Sequence, residues 1–549
     1  MDDVKLPFLV FALASLWWGT WICGASQMES IVPGEDIQMR VNQAPPGMVF
    51  LLKSGMHRMQ SVVPRSGDTF IGEAGTVLSG ARRVIDLRQS GAYWVATGVT
   101  QQVRGAVGEA PCRDGCPRCN HPEDLFFDDT PLLHVAAVSD VGPGRWHFDR
   151  AAAMIYLGDN PKDKKIELSV TPRAFAGAAT NVTIRNLTIE KYASPTQRAA
   201  VELGHGWIIE DCELRGNHFT GIAMGPRSIA RRNRVHHNGC FGFHGAGDHI
   251  LVANNEIAYN GFAGYDPFWG AGGSKWVYTS NLVVRGNFSH HNRGPGLWTD
   301  INNIDTLYEN NLVEDNERGG IFHEISYDAT IRTNTARRNG TGKAYPHWTT
   351  GAGIEVVSSR NVEVCGNTLE DNWQGITGLE DHRGVGNAGP YTLTNLNVHD
   401  NLVTSRILDT GGGRTGIIDT KGLGAFAAAV SNRFHGNTYL PGTNRQCFLW
   451  MGKELDETEW RRSGQDVSGT NHALIVSEQT PPASRQKADF FVSPQGQDRW
   501  SGRVPNPNGN DGPFATVSRA RDAVRGLLKS RKEPRPVRVV LRGGTYFLA

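Results

Sequence analysis

Pairs of asparagines recur through the middle of the chain at a fixed internal spacing: Asn233 with Asn238, Asn255 with Asn260, Asn287 with Asn292, Asn311 with Asn316, Asn334 with Asn339, Asn367 with Asn372. Each pair sits in a segment that loosely reads apolar-x-apolar-x-x-Asn-x-apolar-x-x-Asn. The pairs return every 21 to 24 residues, with two intervals near 32. A unit of that length, made of short alternating strands and Gly/Asn turns, cannot bury its apolar face alone and must stack on its neighbours. The pattern predicts an all-β solenoid, a right-handed parallel β-helix, in which stacked side-chain amides hydrogen-bond along the column.

Composition narrows the function classes. The 65 glycines lack a G-X-Y period and suit tight turns between short strands. Charged residues are 20% and the formal net charge is +1, which gives no reason to expect nucleic acid or an anionic membrane as partner. Leu6 to Trp18 is apolar but short for a bilayer span, and the small residues Cys23, Gly24, Ala25 and Ser26 follow it. This predicts a secretory signal over 1–26 and a location in the periplasm, at the cell surface or in the medium. Asp2 and Asp3 depart from the usual positive start, and an uncleaved N-terminal anchor is the alternative. No other stretch is long and apolar enough to cross a bilayer.

Around the solenoid, residues 27–83 read as an N-terminal cap and first rungs, with a short amphipathic helix over Ile37–Ala44 closing the apolar end. Residues 84–178 break the asparagine beat and alternate as antiparallel strands would, so a small β-rich insertion is predicted there. The β-helix is expected over 179–470, and a polar, Pro-containing linker over 471–488. Residues 489–549 repeat the helix-then-strand opening of the chain and read as the truncated start of a second β-helix. Of eight cysteines, Cys112, Cys116 and Cys119 form a CxxxCxxC cluster; it predicts one local disulfide, with zinc completed by His121 as the alternative. Cys212 stands where later rungs carry Asn233 and Asn255, which marks it as a buried ladder residue.

The segments PEDLFFDDTPLLHV (Pro122–Val135), PGLWTDINN (Pro295–Asn303), GIFHEISYDATIRTNT (Gly320–Thr335) and ELDETEWRRSGQDVSGT (Glu454–Thr470) carry a resemblance to the pectin-lyase-like superfamily of parallel β-helix proteins. The chain looks closest to secreted bacterial members grouped with carbohydrate-active enzymes. The C-terminal DFFVSPQG and DGPFATVSRARDAVR resemble the opening of β-helix glycoside hydrolases. The resemblance implies a polysaccharide or oligosaccharide partner more firmly than it implies one reaction, because chemistry varies widely on this fold.

A second column follows from aligning the rungs. Gly273, Gly296, Gly320 and Gly353 start equivalent strands. Alternation then points Lys275, Trp298, Phe322 and Glu355 outward, with Asp300 and Glu324 outward two residues later. Neighbouring rungs lie about 4.8 Å apart, so Asp300 and Glu324 are expected as stacked carboxylates. His323 falls inward unless the strand bulges. The two long intervals flank this pair and supply aromatic loops, one with Tyr265, Phe268 and Trp269, the other with Tyr345, His347 and Trp348. Such loops would wall a cleft with a carboxylate floor.

Two carboxylates this close cannot both ionise cheaply, and their separation matches a retaining glycosidase. The expected catalytic set is Asp300 and Glu324, with Glu324 as acid, and with Glu355, Lys275 and His323 in reserve. Trp298, Tyr265, Trp269, Trp348 and Asn302 are expected to bind substrate, and His244 lies on the outward column. Hydrolysis needs no cofactor. The rival is a polysaccharide lyase using Lys275 or a histidine as base, with Asp300, Glu324 or Glu355 holding Ca²⁺ or neutralising the uronate carboxyl. YDPFW (Tyr265–Trp269) resembles the Asp-Pro-His motif of alginate epimerases, but Phe268 replaces its histidine. A third reading is a non-catalytic, carbohydrate-binding surface solenoid, since acids on an outer face are often simply solvated. A monomer is expected.

Overall fold

The computed structural model describes residues 28–100, 109–342, 350–405, 412–421, 431–441, 446–468, 470–471, 489–530, 537 and 539–541. The proposed signal over 1–26 therefore lies outside the described residues. Contacts divide the chain into two compact units, residues 1–474 and 475–549.

The first unit is a right-handed parallel β-helix. Among the described residues its three long sheets hold 13, 13 and 11 strands. One turn of the solenoid shows the build. Leu251–Ala253 lies in the first sheet, Glu256–Ala258 in the second and Gly272–Ser280 in the third. Strands of three residues suffice because each is paired on both sides. The inward positions form one continuous apolar column, from Phe50 and Phe70, stacked at 5.1 Å, to Phe448 and Trp460, stacked at 4.7 Å.

The asparagines hold the turns in two ladders. Asn255 is typical: its Oδ1 accepts from the backbone N–H and the Nδ2 of Asn233, each at 3.0 Å. Its own Nδ2 donates to the Ala230 carbonyl and to Asn287 Oδ1, both at 3.0 Å. The amide is thus fully paired in a dry interior, where an unpaired amide costs about 1–3 kcal/mol. The first ladder starts where Asn233 accepts from the Cys212 N–H and runs through Asn367, Asn401 and Asn437 to Asp466. The second runs from Asn217 to Asn372. The glycine column stands against the second ladder. A Cβ on Gly296 would lie 2.8 Å from Asn316 Nδ2, and one on Gly320 would lie 2.9 Å from Asn339 Nδ2.

Both ends are closed by helices. Ile37–Gln43 is capped by the Asp36 side chain, which accepts from the Met39 N–H at 3.0 Å, and it buries Ile37 and Val41 on the first rungs. At the other end Glu457–Arg462 begins with a capping box of Asp456 and Glu459 and buries Trp460. Asp466 ends the asparagine ladder there and also accepts from Tyr439 and Trp460.

Residues 81–169 contribute antiparallel strands in two small sheets around their own core of Leu125, Trp146, Phe148, Ile155, Leu157 and Leu168. Cys112 and Cys119 form a disulfide. His121 lies between two cations, its Nε2 2.8 Å from Arg118 Nη1 and its Nδ1 2.7 Å from Arg150 Nη1, and burial with those cations lowers its pKa to about 4. The second unit pairs Phe490–Val492 in parallel with Val539–Leu541 and packs Ala520 of the helix Val517–Ser530 onto Phe490, Val492 and Phe514.

Candidate functional site

Four consecutive strands of the third sheet, Gly272–Ser280, Leu297–Asp300, Ile321–Glu324 and Ala352–Val357, carry the outward column. Their register is Trp276 to Thr299, Thr299 to His323 and His323 to Val356. Trp298, Phe322 and Glu355 follow one another along the sheet, and Asp300 pairs directly with Glu324. Leu297, Ile321 and Ile354 join the inner core.

Asp300 is buried, and its Oδ2 lies 2.9 Å from Lys275 Nζ. Its Oδ1 is buried too and has no hydrogen-bond partner. Lys275 is committed twice more: Nζ donates to the Trp269 carbonyl at 2.8 Å and sits 3.8 Å from the centre of the Trp298 ring. Glu324 Oε1 accepts from Arg383 Nη1 at 2.7 Å. Burial, then the nearby Asp300 charge, push the Glu324 pKa up, while Arg383 and Lys275 oppose the rise. The two carboxylates therefore sit in unequal fields.

Trp298 and Phe322 stack at 5.3 Å beneath this pair. Trp298 is only 1% exposed, so it shapes the floor and cradles Lys275 rather than offering a bare stacking face. The Arg318 guanidinium lies 4.2 Å from the Phe268 ring, 5.6 Å from Phe322, and donates to the Pro267 carbonyl at 3.0 Å. It pins the aromatic loop onto the floor. Glu355 is buried in register with Phe322, one step aside from the carboxylate pair, and Val357 rather than Glu355 stands next to Glu324.

Three expected residues take other roles. His323 is fully buried inside the solenoid, its Nδ1 2.8 Å from Thr299 Oγ1. Burial lowers its pKa to about 3, and strand alternation keeps it out of the groove. Tyr265 is not a wall. Its ring is buried and its hydroxyl bonds Thr196 Oγ1 at 3.1 Å and His218 Nε2 at 3.3 Å. Asn302 turns away from the column and accepts the Asn387 N–H on its Oδ1 at 2.7 Å. Trp348, with Tyr345 and His347, lies outside the described residues. Trp269 is partly buried and faces a neighbouring cleft.

Asn302 and Glu324 together hold the segment 381–391, through Asn387 and Arg383. The paired asparagines end at Asn367 and Asn372, ahead of this segment. The ladder itself continues from Asn367 to Asn401, 34 residues on, and to Asn437, another 36. Counting one ladder rather than pairs finds the third long interval and with it Arg383. The CxxxCxxC loop proves to be a buttress: Cys112 bridges Tyr265, the Arg113 N–H donates to the Gly264 carbonyl at 2.8 Å, and Arg113 pairs with Glu317 at 2.7 Å.

The family described as "Right handed beta helix region" matches residues 198–377, the rungs that carry this site. No curated protein matches the chain in sequence. Among solved structures, XylC in complex with xylose is similar at 14% identity, over 77% of this chain and 86% of that one, with a TM-score of 0.60. The A-module of the mannuronan C-5 epimerase AlgE6 of Azotobacter vinelandii is also 14% identical, over 75% of this chain and 89% of that one, at a TM-score of 0.45. Family match and topology agree on architecture: the chain carries a right-handed parallel β-helix.

Proposed function

We propose that the protein is an exported glycoside hydrolase that cleaves its substrate with retention of configuration. The observation that carries this reading is the in-register pair Asp300 and Glu324, one buried carboxylate on Lys275 and one with a raised pKa. Neighbouring strands about 4.8 Å apart leave the carboxyls near the roughly 5 Å separation of retaining enzymes and too close for the water of an inverting one. Asp300, held 2.9 Å from the Lys275 ammonium, is the nucleophile. Glu324, held toward the neutral form, is the acid.

In the first step an Asp300 oxygen bonds the anomeric carbon while the glycosidic C–O bond breaks, and the Glu324 proton goes to the leaving oxygen. In the second, Glu324 takes a proton from water, whose oxygen displaces Asp300, so that Asp300 is released as a carboxylate and Glu324 is again the protonated acid. Lys275 is fully engaged by Asp300, Trp269 and Trp298, which favours this role over that of a free base for β-elimination. Since the structure of XylC holds xylose, pentose glycosides head the substrate panel. The test is a panel of oligosaccharides and polysaccharides assayed for reducing ends, with the anomer of the first product read by NMR. New reducing ends with a retained anomer are expected. An inverted product, or absorbance from unsaturated uronates in place of hydrolysis, refutes the proposal.

A further inference from the structure

Beside the carboxylate pair the third sheet carries a cleft of about 490 Å³. Its floor continues the outward column: Ala223 pairs with His244, and His244 with Lys275, the residue that holds Asp300. Phe219, Phe241 and Trp269 wall one side, and Val277 and Ile301 close the end next to Asp300. Phe219 stands edge-on to the buried Tyr265 ring at 5.0 Å, and both belong to a small core that includes Cys119 of the disulfide.

The cleft is poor in partners for hydroxyl groups. Its polar side chains are Gln197, His244 and Lys275, with the Trp269 indole N–H. Lys275 is spent on Asp300 and the Trp269 carbonyl, and His244 Nδ1 is 2.8 Å from Thr220 Oγ1. A bare sugar ring buried there would leave hydroxyls unpaired, at about 1–3 kcal/mol each. A flat apolar ring would instead meet aromatic edges and faces, and could offer one oxygen to the imidazole.

We infer that this cleft is a recognition site for an aromatic ring carried by the substrate, either as the aglycone of an aryl glycoside or as an aromatic ester on the sugar. This deepens the hydrolase reading and rests on it for the identity of the substrate. The cleft's position gives the ring a defined job: seated on the Ala223–His244 floor, it places the attached sugar over Lys275, Asp300 and Glu324.

The test is binding by the full chain, read by saturation-transfer NMR and by quenching of tryptophan fluorescence, with phenol, cyclohexanol and xylose as probes. Phenol is expected to bind more tightly than either other probe. Ala223→Trp fills the floor, and Ala246→Trp, at an exposed position, narrows the rim. Each is expected to weaken phenol by about tenfold, roughly 1.4 kcal/mol. A thermal melt shows whether each variant is folded. Phenol binding no tighter than that of xylose or cyclohexanol, or indifferent to both tryptophan substitutions, overturns the inference. The hydrolase reading fails separately: a chain that hydrolyses no glycoside but binds phenol in this cleft loses that reading and keeps this one. Aryl glycosides and methyl esters of aromatic acids, compared as competitors of phenol, distinguish the two sources of the ring.

Discussion

Asn303→Ala tests how the solenoid holds its proposed nucleophile. Asn303 is fully buried and belongs to a third, short polar ladder with Thr279, Ser326 and Ser359. Its Nδ2 donates to the Asp300 carbonyl at 2.9 Å, to the Trp276 carbonyl at 3.2 Å and to Ser326 Oγ at 3.1 Å. Its Oδ1 accepts from the Thr279 N–H at 3.1 Å and from the Thr279 hydroxyl at 2.6 Å. Truncation leaves the Thr279 N–H and hydroxyl buried without this acceptor, at about 1–3 kcal/mol each. The two carbonyls lose a donor as well, so a destabilisation of about 3–5 kcal/mol is expected. The backbone of Asp300 loses its tether in the same stroke, and a shift near 1 Å at a reacting group costs on the order of a hundredfold in rate. Denaturant titration gives the first quantity, and kcat on a cleaved glycoside gives the second. Asn303→Asp, which keeps the acceptor and loses the donor, should recover part of the stability and little of the rate. A stability loss under about 1 kcal/mol with unchanged kcat would refute the reasoning, since buried amide ladders would then be interchangeable with apolar packing.

Asp300→Asn and Glu324→Gln should both abolish turnover of ordinary glycosides. Only Glu324→Gln should keep a first step on substrates with activated leaving groups, seen as a burst followed by slow release. Arg383→Met removes a cation that lowers the Glu324 pKa, so the basic limb of the kcat/KM profile should move to higher pH; a limb that stays or falls rejects Glu324 as the acid. Because the Glu324 pKa is raised in the folded state, the native protein binds more protons than the unfolded chain in the window above the ordinary glutamate range, and stability falls there as pH rises. Glu324→Gln should therefore stabilise the fold above that window and leave it unchanged at acid pH, a difference that thermal melts at two pH values resolve. Replacing Cys112 and Cys119 by serine opens a short loop and should cost about 2–3 kcal/mol, with a larger rise in KM than fall in kcat, since the disulfide backs Tyr265 and not the carboxylates.

The architecture was legible because the asparagine ladder is a local rule. Each amide needs a partner one rung away, so the spacing of Asn233, Asn255 and Asn287 in sequence is the circumference of the solenoid written out. Strand alternation then placed Asp300 and Glu324 on one face with no further information. The same rule put His323 inside, where it lies. What alternation cannot report is how a long loop folds back. Tyr265 and Trp269 are neighbours in one interval, yet the first is drawn into a core with Phe219 and the second faces a cleft. The difference is made by Thr196 and His218, which hydrogen-bond the Tyr265 hydroxyl from distant parts of the chain.

Arg383 shows why electrostatics at this site depends on loops while its geometry does not. The backbone register of Asp300 and Glu324 is set by two paired strands, each held by neighbours on both sides. The charge on each is set from outside the strands. Lys275 comes from the same sheet and is pinned by Trp298 and the Trp269 carbonyl, so Asp300 keeps a permanent counter-charge. Arg383 comes from the segment 381–391, is two-fifths exposed, and reaches Glu324 with one guanidinium nitrogen. An exposed arginine surrenders such a contact at little cost, because solvent screens the pair. If a substrate group takes Arg383, what remains on Glu324 is burial and the Asp300 charge, both of which favour its protonated form. Substrate arrival would then produce the acid that the first step consumes, with the nucleophile's charge untouched. In the pH profile of kcat, which reports the enzyme–substrate complex, a glycoside that cannot reach Arg383 should show a basic limb at lower pH than one that can, and identical limbs for both would leave Arg383 with no part in setting the acid.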